Sequence, residues 1–309
     1  MSDSSNASLS KTSPTSATHE RRKRDGWFQW ASSLIAWLRR MISELVRSKN
    51  ATIGIAIILL WAFVAIAAPI ISPYSPTEMP GARLESPSRE HWLGTDHLGR
   101  DVLSRLFWGT RVVILMAPIS VLLGMMIGAP LGLVSGYVGG VVDMLIMRAS
   151  DILYSFPTLP LFILIITSIG PSPLIVVATV ALGNVTFIIR VVRSLALDER
   201  TKDYVNAARL RGERRRYILL REILPNVSGP IIADTTIRVG YAIIYIGSLG
   251  FLGLGIPPPT PDWGGMINEG REFIFLMPGV VLAPAAALSS VVIALNLLAD
   301  GIREIEQQR

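Results

Sequence analysis

The chain has 309 residues, half of them apolar, with charged residues at 17% and a mean hydropathy of +0.48, values that place it among membrane proteins rather than soluble domains. It contains no cysteine, which excludes disulfides and thiolate metal sites, and its three histidines, His19, His91 and His97, form no obvious ligand set. A formal charge of +6 is concentrated beside apolar stretches, where Lys and Arg set membrane orientation, and this argues against a nucleic-acid partner.

Residues 1–26 are rich in Ser and Thr and carry the run Arg21-Arg22-Lys23-Arg24. Such a segment buries too little apolar surface to offset its own ordering, so a disordered cytoplasmic tail is expected. Trp27, Trp30, Leu34, Trp37, Leu38, Met41 and Leu45 then recur near helical spacing among Arg39, Arg40 and Arg47. That pattern suits an amphipathic helix in the membrane interface, or else the start of the first span, and residues 1–49 are read as tail plus interfacial helix.

From Ala51 to Ile71 there are 21 residues without a charge, enough for about 30 Å of helix. This is the first transmembrane helix, residues 50–72. Ala65-Ile66-Ala67 imitates a signal-peptidase site, but the long region before it and the long apolar core favour a retained anchor. Residues 73–111 are read as an extracytoplasmic loop. Charge-free windows follow at 112–142, 152–189, 239–261 and 273–299. The window from 152 exceeds one helix and is divided at Gly170-Pro171-Ser172-Pro173. The fifth span begins near Val227 and carries Asp234 and Arg238. An all-α membrane protein with six transmembrane helices is expected: a core over 112–300 with five of them, a cytoplasmic loop at 193–226 and a cytoplasmic tail at 301–309.

Charge counts set the orientation. Residues 1–50 hold nine Lys/Arg against four acids, and residues 193–226 hold nine against five. Both belong inside, as do both termini. Residues 72–111 balance five against five, and 251–277 carry one Arg against three acids, as outward loops do.

Gly124, Gly128, Gly132 and Gly136 repeat every four residues, so they share one helix face and form a packing seam. Pro130 in the same helix is expected to kink it. Asp234 and Arg238, four apart, also share a face. Ionisable groups at membrane depth face protein or a water-filled path, so these two are read as lining a passage, with a structural ion pair as the alternative. Arg148 and Asp151 are read as anchoring the inner end of the third span. The stretch "GSLGFLGLGIPPPTPDWGG" at 247–265 has too much Gly and Pro for a continuous helix. An outer gate, a partner contact or an ordinary outward loop fits it. There is no G-x-x-x-x-G-K-[ST], G-x-S-x-G or H-E-x-x-H, hence no visible apparatus for ATP hydrolysis or hydrolytic chemistry.

In "DYVNAARLRGERRRYILLREILPN" at 203–226, Tyr204, Ala207, Ala208 and Arg211 fall on one helical stripe with little bulk at the alanines. Gly212 can take the left-handed conformation that ends a short helix, and Glu213 to Leu224 form a second until Pro225 stops it. The product is a helix-turn-helix with a docking face. Arg214, Arg215 and Arg216 read as positive-inside markers.

The spacing of Ala207-Ala208, Gly212 and Leu224-Pro225 resembles the EAA motif of membrane subunits of ATP-binding-cassette importers. Asn206 stands where that motif has glutamate, and Glu222 where isoleucine is usual. "HWLGTDHLGRDVLSRLFWGTR" (91–111), "GYVGGVVDMLIMRASDILYSFP" (136–157), "LREILPN" (220–226), "LGFLGLGIPPPTPDWGGMINEGR" (249–271) and "NLLADGIRE" (296–304) extend the likeness to the peptide/nickel branch, over roughly residues 50–306. Within it, the chain is similar to second permease subunits for dipeptides, oligopeptides or glutathione. The resemblance implies a type I importer fold in the bacterial inner membrane. It also implies a second homologous permease subunit, two cytoplasmic ATP-binding subunits and an extracytoplasmic solute-binding protein. No cofactor or catalysis in this chain is implied. Coupling to the ATPases falls on Asp203, Tyr204, Ala207, Ala208, Arg211, Gly212, Leu224 and Pro225. The rival functions are an ion-gradient-driven transporter or channel using Asp234 and Arg238, a membrane scaffold, and a nickel permease.

Overall fold

The computed structural model describes residues 48–307, with side chains through residue 304. The expected tail and interfacial helix lie outside the described residues, apart from Ser48 and Lys49. Among the described residues there is no strand beyond one bridge between Thr95 and Asp101.

Helix α1 (Lys49–Ile71) starts at Ser48, whose hydroxyl accepts the Ala51 N–H. Its buried face is small: Ala51, Gly54, Ala65, Ala67 and Ala68. Leu60, Phe63, Ile66 and Ile70 point outward and are exposed. Lipid is as apolar as leucine, so α1 is held by close backbone approach to the last helix, α9 (Gly279–Gln307), rather than by hiding its large side chains. A Cβ on Gly54 would stand 2.5 Å from the Ala294 carbonyl oxygen, and one on Gly301 2.5 Å from the Ala51 Cβ.

Helix α2 (Val102–Val138) runs for 37 residues, about 55 Å, well beyond the hydrocarbon thickness. It begins ten residues before the charge-free window, because the two arginines in those ten residues find partners. Arg105 donates to Glu269, and Arg111 donates through Nε to the Ala65 carbonyl at 2.7 Å and lies over the Trp108 ring at 4.7 Å. Asp101 caps the start, accepting from both the backbone and the hydroxyl of Ser104 at 2.7 Å.

The glycine face of α2 lies against α5 (Pro173–Glu199), the most extensive helix pairing among the described residues. Built Cβ atoms at Gly124, Gly128, Gly132 and Gly136 would fall 3.0, 2.9, 2.8 and 2.5 Å from atoms of Ala181, Ile188, Ile189 and Arg193. The two backbones therefore touch along four turns.

Between them the structure departs from the expected single third span. Gly139 and Gly140, at φ of +70° and +58°, end α2 and reverse the chain into α3 (Gly140–Tyr154). Helix α4 (Thr158–Ile169) follows after a bend of 80° at Ser155-Phe156-Pro157. Proline disfavours helical backbone in the residue before it, and this is what splits the apolar run. Asp143 at the head of α3 is neutralised by Arg193, at 2.5 and 2.6 Å, which is why a charge is tolerated there. Asp151 pairs with Arg190 of α5 at 2.6 Å.

Among the described residues, four helices (α1, α2, α5 and α9) are individually long and apolar enough to cross a membrane, and the bent pair α3–α4 makes five. The remaining expected span is α7 (Leu224–Phe251), 28 residues long but carrying Asp234 and Arg238. After α7 the chain turns at Gly253, φ +76°, and enters α8 (Trp263–Gly270), capped by Asp262. The segment 247–265 is thus helical as far as Phe251 and again from Trp263. Trp263 is fully buried, donates to the Leu106 carbonyl at 3.0 Å and meets the Trp61 ring edge-on at 5.0 Å. A Cβ on Gly264 would stand 2.2 Å from the Gly247 carbonyl oxygen, so α8 is pressed onto α7.

Candidate functional site

Besides the Asp143–Arg193 and Asp151–Arg190 pairs, three polar constellations among the described residues are candidates for function. The first is the elbow between α5 and α7. Helix α6 (Asp203–Leu210) is followed by Arg211 and by Gly212 at φ +73°. The Gly212 N–H donates to the Arg209 carbonyl at 2.9 Å, and the Glu213 N–H to the Ala208 carbonyl at 3.2 Å. This is the Schellman arrangement, which satisfies the last carbonyls of α6 and needs a residue that accepts positive φ. Asp203 opens α6, where a negative charge suits the helix dipole.

The expected docking stripe is divided by the fold. Ala208 and Val205 are completely buried against Ile218, Ile223 and Val227 on one side and Leu133, Tyr137 and Ala196 on the other. Ala207 and Arg211 face outward, and Tyr204 is half-buried. Leu210, outside the expected set, stands 90% exposed. The Tyr204 hydroxyl donates to Glu199, and burial, reinforced by that carboxylate, pushes its phenol well above the usual range. Glu222 is held by Arg211 at 3.4 Å, and Asn206 donates to the Thr201 carbonyl at 3.4 Å. Through Val205 and Ala208 the outward face of α6 is rooted in the ends of α2, α5 and α7.

Pro225 does not stop the helix. A short helical turn, Arg215–Tyr217, runs into a π-helical turn, Ile218–Ile223, and α7 continues from Leu224. The wide turn accommodates the missing Pro225 N–H, so one rod extends from the elbow into the membrane. Leu224 is half-buried and Pro225 exposed at that junction.

The second constellation lies midway along α7. Arg238 donates to Asp234 through Nε at 2.6 Å and Nη2 at 3.0 Å. Its guanidinium sits 5.1 Å from the Phe187 ring centre. Arg238 also lines a cavity of about 300 Å³ with Asn184, Phe187, Tyr241 and Tyr245.

The third had no signal in local sequence spacing. Arg100 bridges Asp96 and Glu269, both at 2.6 Å, and Arg105 donates to the same Glu269 oxygen at 2.9 Å. His91 meets Asp101 at 2.9 Å. The network ties the 73–101 segment to the start of α2 and to α8. Burial raises the nearby Asp262 carboxyl, offset in part by the backbone N–H groups of Gly265 and Gly264. His97, Asp96 and Glu269 bring three potential metal-ligand atoms within 4.8 Å, yet both carboxylates are occupied by guanidinium groups that a cation would have to displace.

Residues 128–309 match the family model of the binding-protein-dependent transport system inner membrane component, and residues 36–87 match the N-terminal TM domain of oligopeptide transport permease C. The chain is 38% identical to the dipeptide transport system permease protein DppC of Alkalihalophilus pseudofirmus, over 86% of this chain and 88% of that protein. It is 42% identical to the glutathione transport system permease protein GsiD of Pectobacterium atrosepticum, over 71% and 73%. In fold it is similar to a chain of the inward-facing MetNI methionine ABC transporter, with a TM-score of 0.54 and 19% identity over 66% of this chain and 96% of that one.

Proposed function

The chain belongs to the binding-protein-dependent transport system inner membrane components, and from that premise we propose that it carries short peptides inward, with α6 as the contact through which ATP-binding subunits drive it. It is a multi-pass inner-membrane permease subunit, not an enzyme, and ATP hydrolysis belongs to separate subunits. A second homologous permease completes the path, two ATP-binding subunits sit on the cytoplasmic side with both termini, and a solute-binding protein delivers the cargo outside.

The observation that carries this reading is the construction of the elbow. Its outer face offers Ala207 and an almost wholly exposed Leu210, while its inner face is locked to α2, α5 and α7. A partner that holds α6 differently in two nucleotide states biases three spanning helices together, which is what switching access requires. Both carboxylate oxygens of Asp234 are engaged by Arg238, so neither is left free to hold a coupling cation in a gradient-driven mechanism. Among the described residues, both histidines lie in the loop before α2, away from the cavity, which disfavours nickel as cargo.

Reconstitution of the complete importer in proteoliposomes tests the proposal. Uptake of labelled L-alanyl-L-alanine is expected to require ATP and to survive a proton ionophore. Uptake that persists without ATP and collapses with the gradient overturns it.

A further inference from the structure

We infer that the cavity between α4, α5 and α7 is a weak transit subsite for the carboxylate end of a short peptide, with Arg238 as its anion contact. The inference rests on the reading that this chain conducts peptides. Arg238 is only 9% exposed, so water solvates it poorly. Asp234 takes two of its donor groups and Phe187 lies against its face, but among the described residues Nη1 makes no hydrogen bond. The hydroxyls of Tyr241 and Tyr245, which line the same cavity, also make none among the described residues. Asn184 donates one Nδ2–H to the Val180 carbonyl at 2.9 Å, leaving its own carbonyl oxygen for a donor. Phe187 and Phe162 supply apolar rings, and Phe162 is held edge-on to Tyr245 at 5.3 Å.

These groups define the ligand chemistry. One guanidinium edge accepts a planar monoanion, neighbouring hydroxyls and an amide suit a peptide unit, and rings tolerate varied side chains. A phosphate would bring more negative charge than a guanidinium already paired with Asp234 can balance. A bare dication would face that guanidinium with no imidazole or thiolate to bind it. A volume of about 300 Å³ has room for a dipeptide but not for a long chain. The pairing with Asp234 also limits how tightly a carboxylate is held, and conduction requires that cargo leave again.

The test compares L-alanyl-L-alanine with L-alanyl-L-alaninamide in the complete reconstituted importer, in wild type, Arg238→Gln and the double variant Asp234→Asn/Arg238→Gln. The binding protein is the same in every arm, so a change in the acid-to-amide uptake ratio belongs to the permease. Loss of one charge-assisted hydrogen bond predicts a fall of about tenfold in that ratio in the double variant, with ATP hydrolysis still stimulated by cargo. An unchanged ratio with ATP-driven uptake intact overturns the subsite and leaves the transport reading standing. So does equal loss of both peptides in the single variant with full recovery in the double, the signature of a structural pair. Absence of ATP-driven uptake of either peptide by wild type overturns the transport reading itself, and the subsite with it. A second measurement omits the binding protein. Because the chain has no native cysteine, Tyr241→Cys reports site occupancy. The free acid is expected to protect it from a small maleimide and the amide is not; equal protection, or none, contradicts the inference.

Discussion

Leu210→Asp is expected to abolish ATP-driven uptake while the permease remains inserted and folded. Leu210 is 90% exposed on α6, and no other large apolar side chain of that helix is. Its substitution therefore removes nothing from the chain's own core. On the proposed docking face it would fill an apolar recess of the ATPase, where a buried leucine contributes about 1.5–3 kcal/mol relative to exposure. Placing a carboxylate there loses that contribution and adds a desolvation penalty, which weakens docking by about a hundredfold or more. Leu210→Ala is expected to fall between. Gly212→Val acts on the same contact by another route. At φ +73° a β-branched residue costs about 1–2 kcal/mol, and the turn relieves it by re-aiming α6. Co-purification of the ATPase subunits, alongside uptake, separates the cases: all three variants insert, and ATPase recovery falls in the order Ala, Val, Asp.

Gly132→Leu is expected to remove folded protein from the membrane altogether. The first atom of the new side chain would lie 2.8 Å from the Ile189 carbonyl oxygen and 2.8 Å from the Val192 Cβ, so backbone must move rather than a flexible side-chain tip. Overpacking typically costs about 1–3 kcal/mol. Here the whole α2–α5 seam has to separate, because Gly128 and Gly136 leave no more room on either side. Gly240→Ala is the matched control. Its nearest neighbour would be the Leu295 Cβ at 3.9 Å, and alanine gains up to about 1 kcal/mol of helix propensity. Thermal unfolding in detergent with size-exclusion recovery is expected to show the control at or above wild type and the seam variant lost.

Both sites were legible in the sequence to different depths. The four-residue glycine period identified the face of α2, because a helix repeat places such residues together wherever the helix begins. Gly212 marked the turn because positive φ is a property of the residue itself. The boundaries of α2 and α3 were hidden by Arg105, Arg111 and Asp143. Each of these is a charge at or beyond the edge of a charge-free window, and each meets a partner that sequence spacing does not reveal. Glu269 lies 164 residues from Arg105 and 169 from Arg100, so their network had no local periodicity to betray it. In sequence Pro225 is a helix stop because proline breaks an α-helical ladder, and the π-helical turn before it removes that conflict. Ala207 and Ala208 are adjacent and both small. Only the packing of Val205 with Ala208 decides that one faces the core and the other the outside.

The measurement that bears most directly on this account is the sidedness of α6. In a chain without native cysteine, Leu210→Cys is labelled with a membrane-impermeant maleimide in intact cells and in inverted vesicles. Labelling only in inverted vesicles, suppressed when the ATP-binding subunits are added, is the predicted result. Labelling in intact cells, or labelling of inverted vesicles that those subunits leave unchanged, would contradict it.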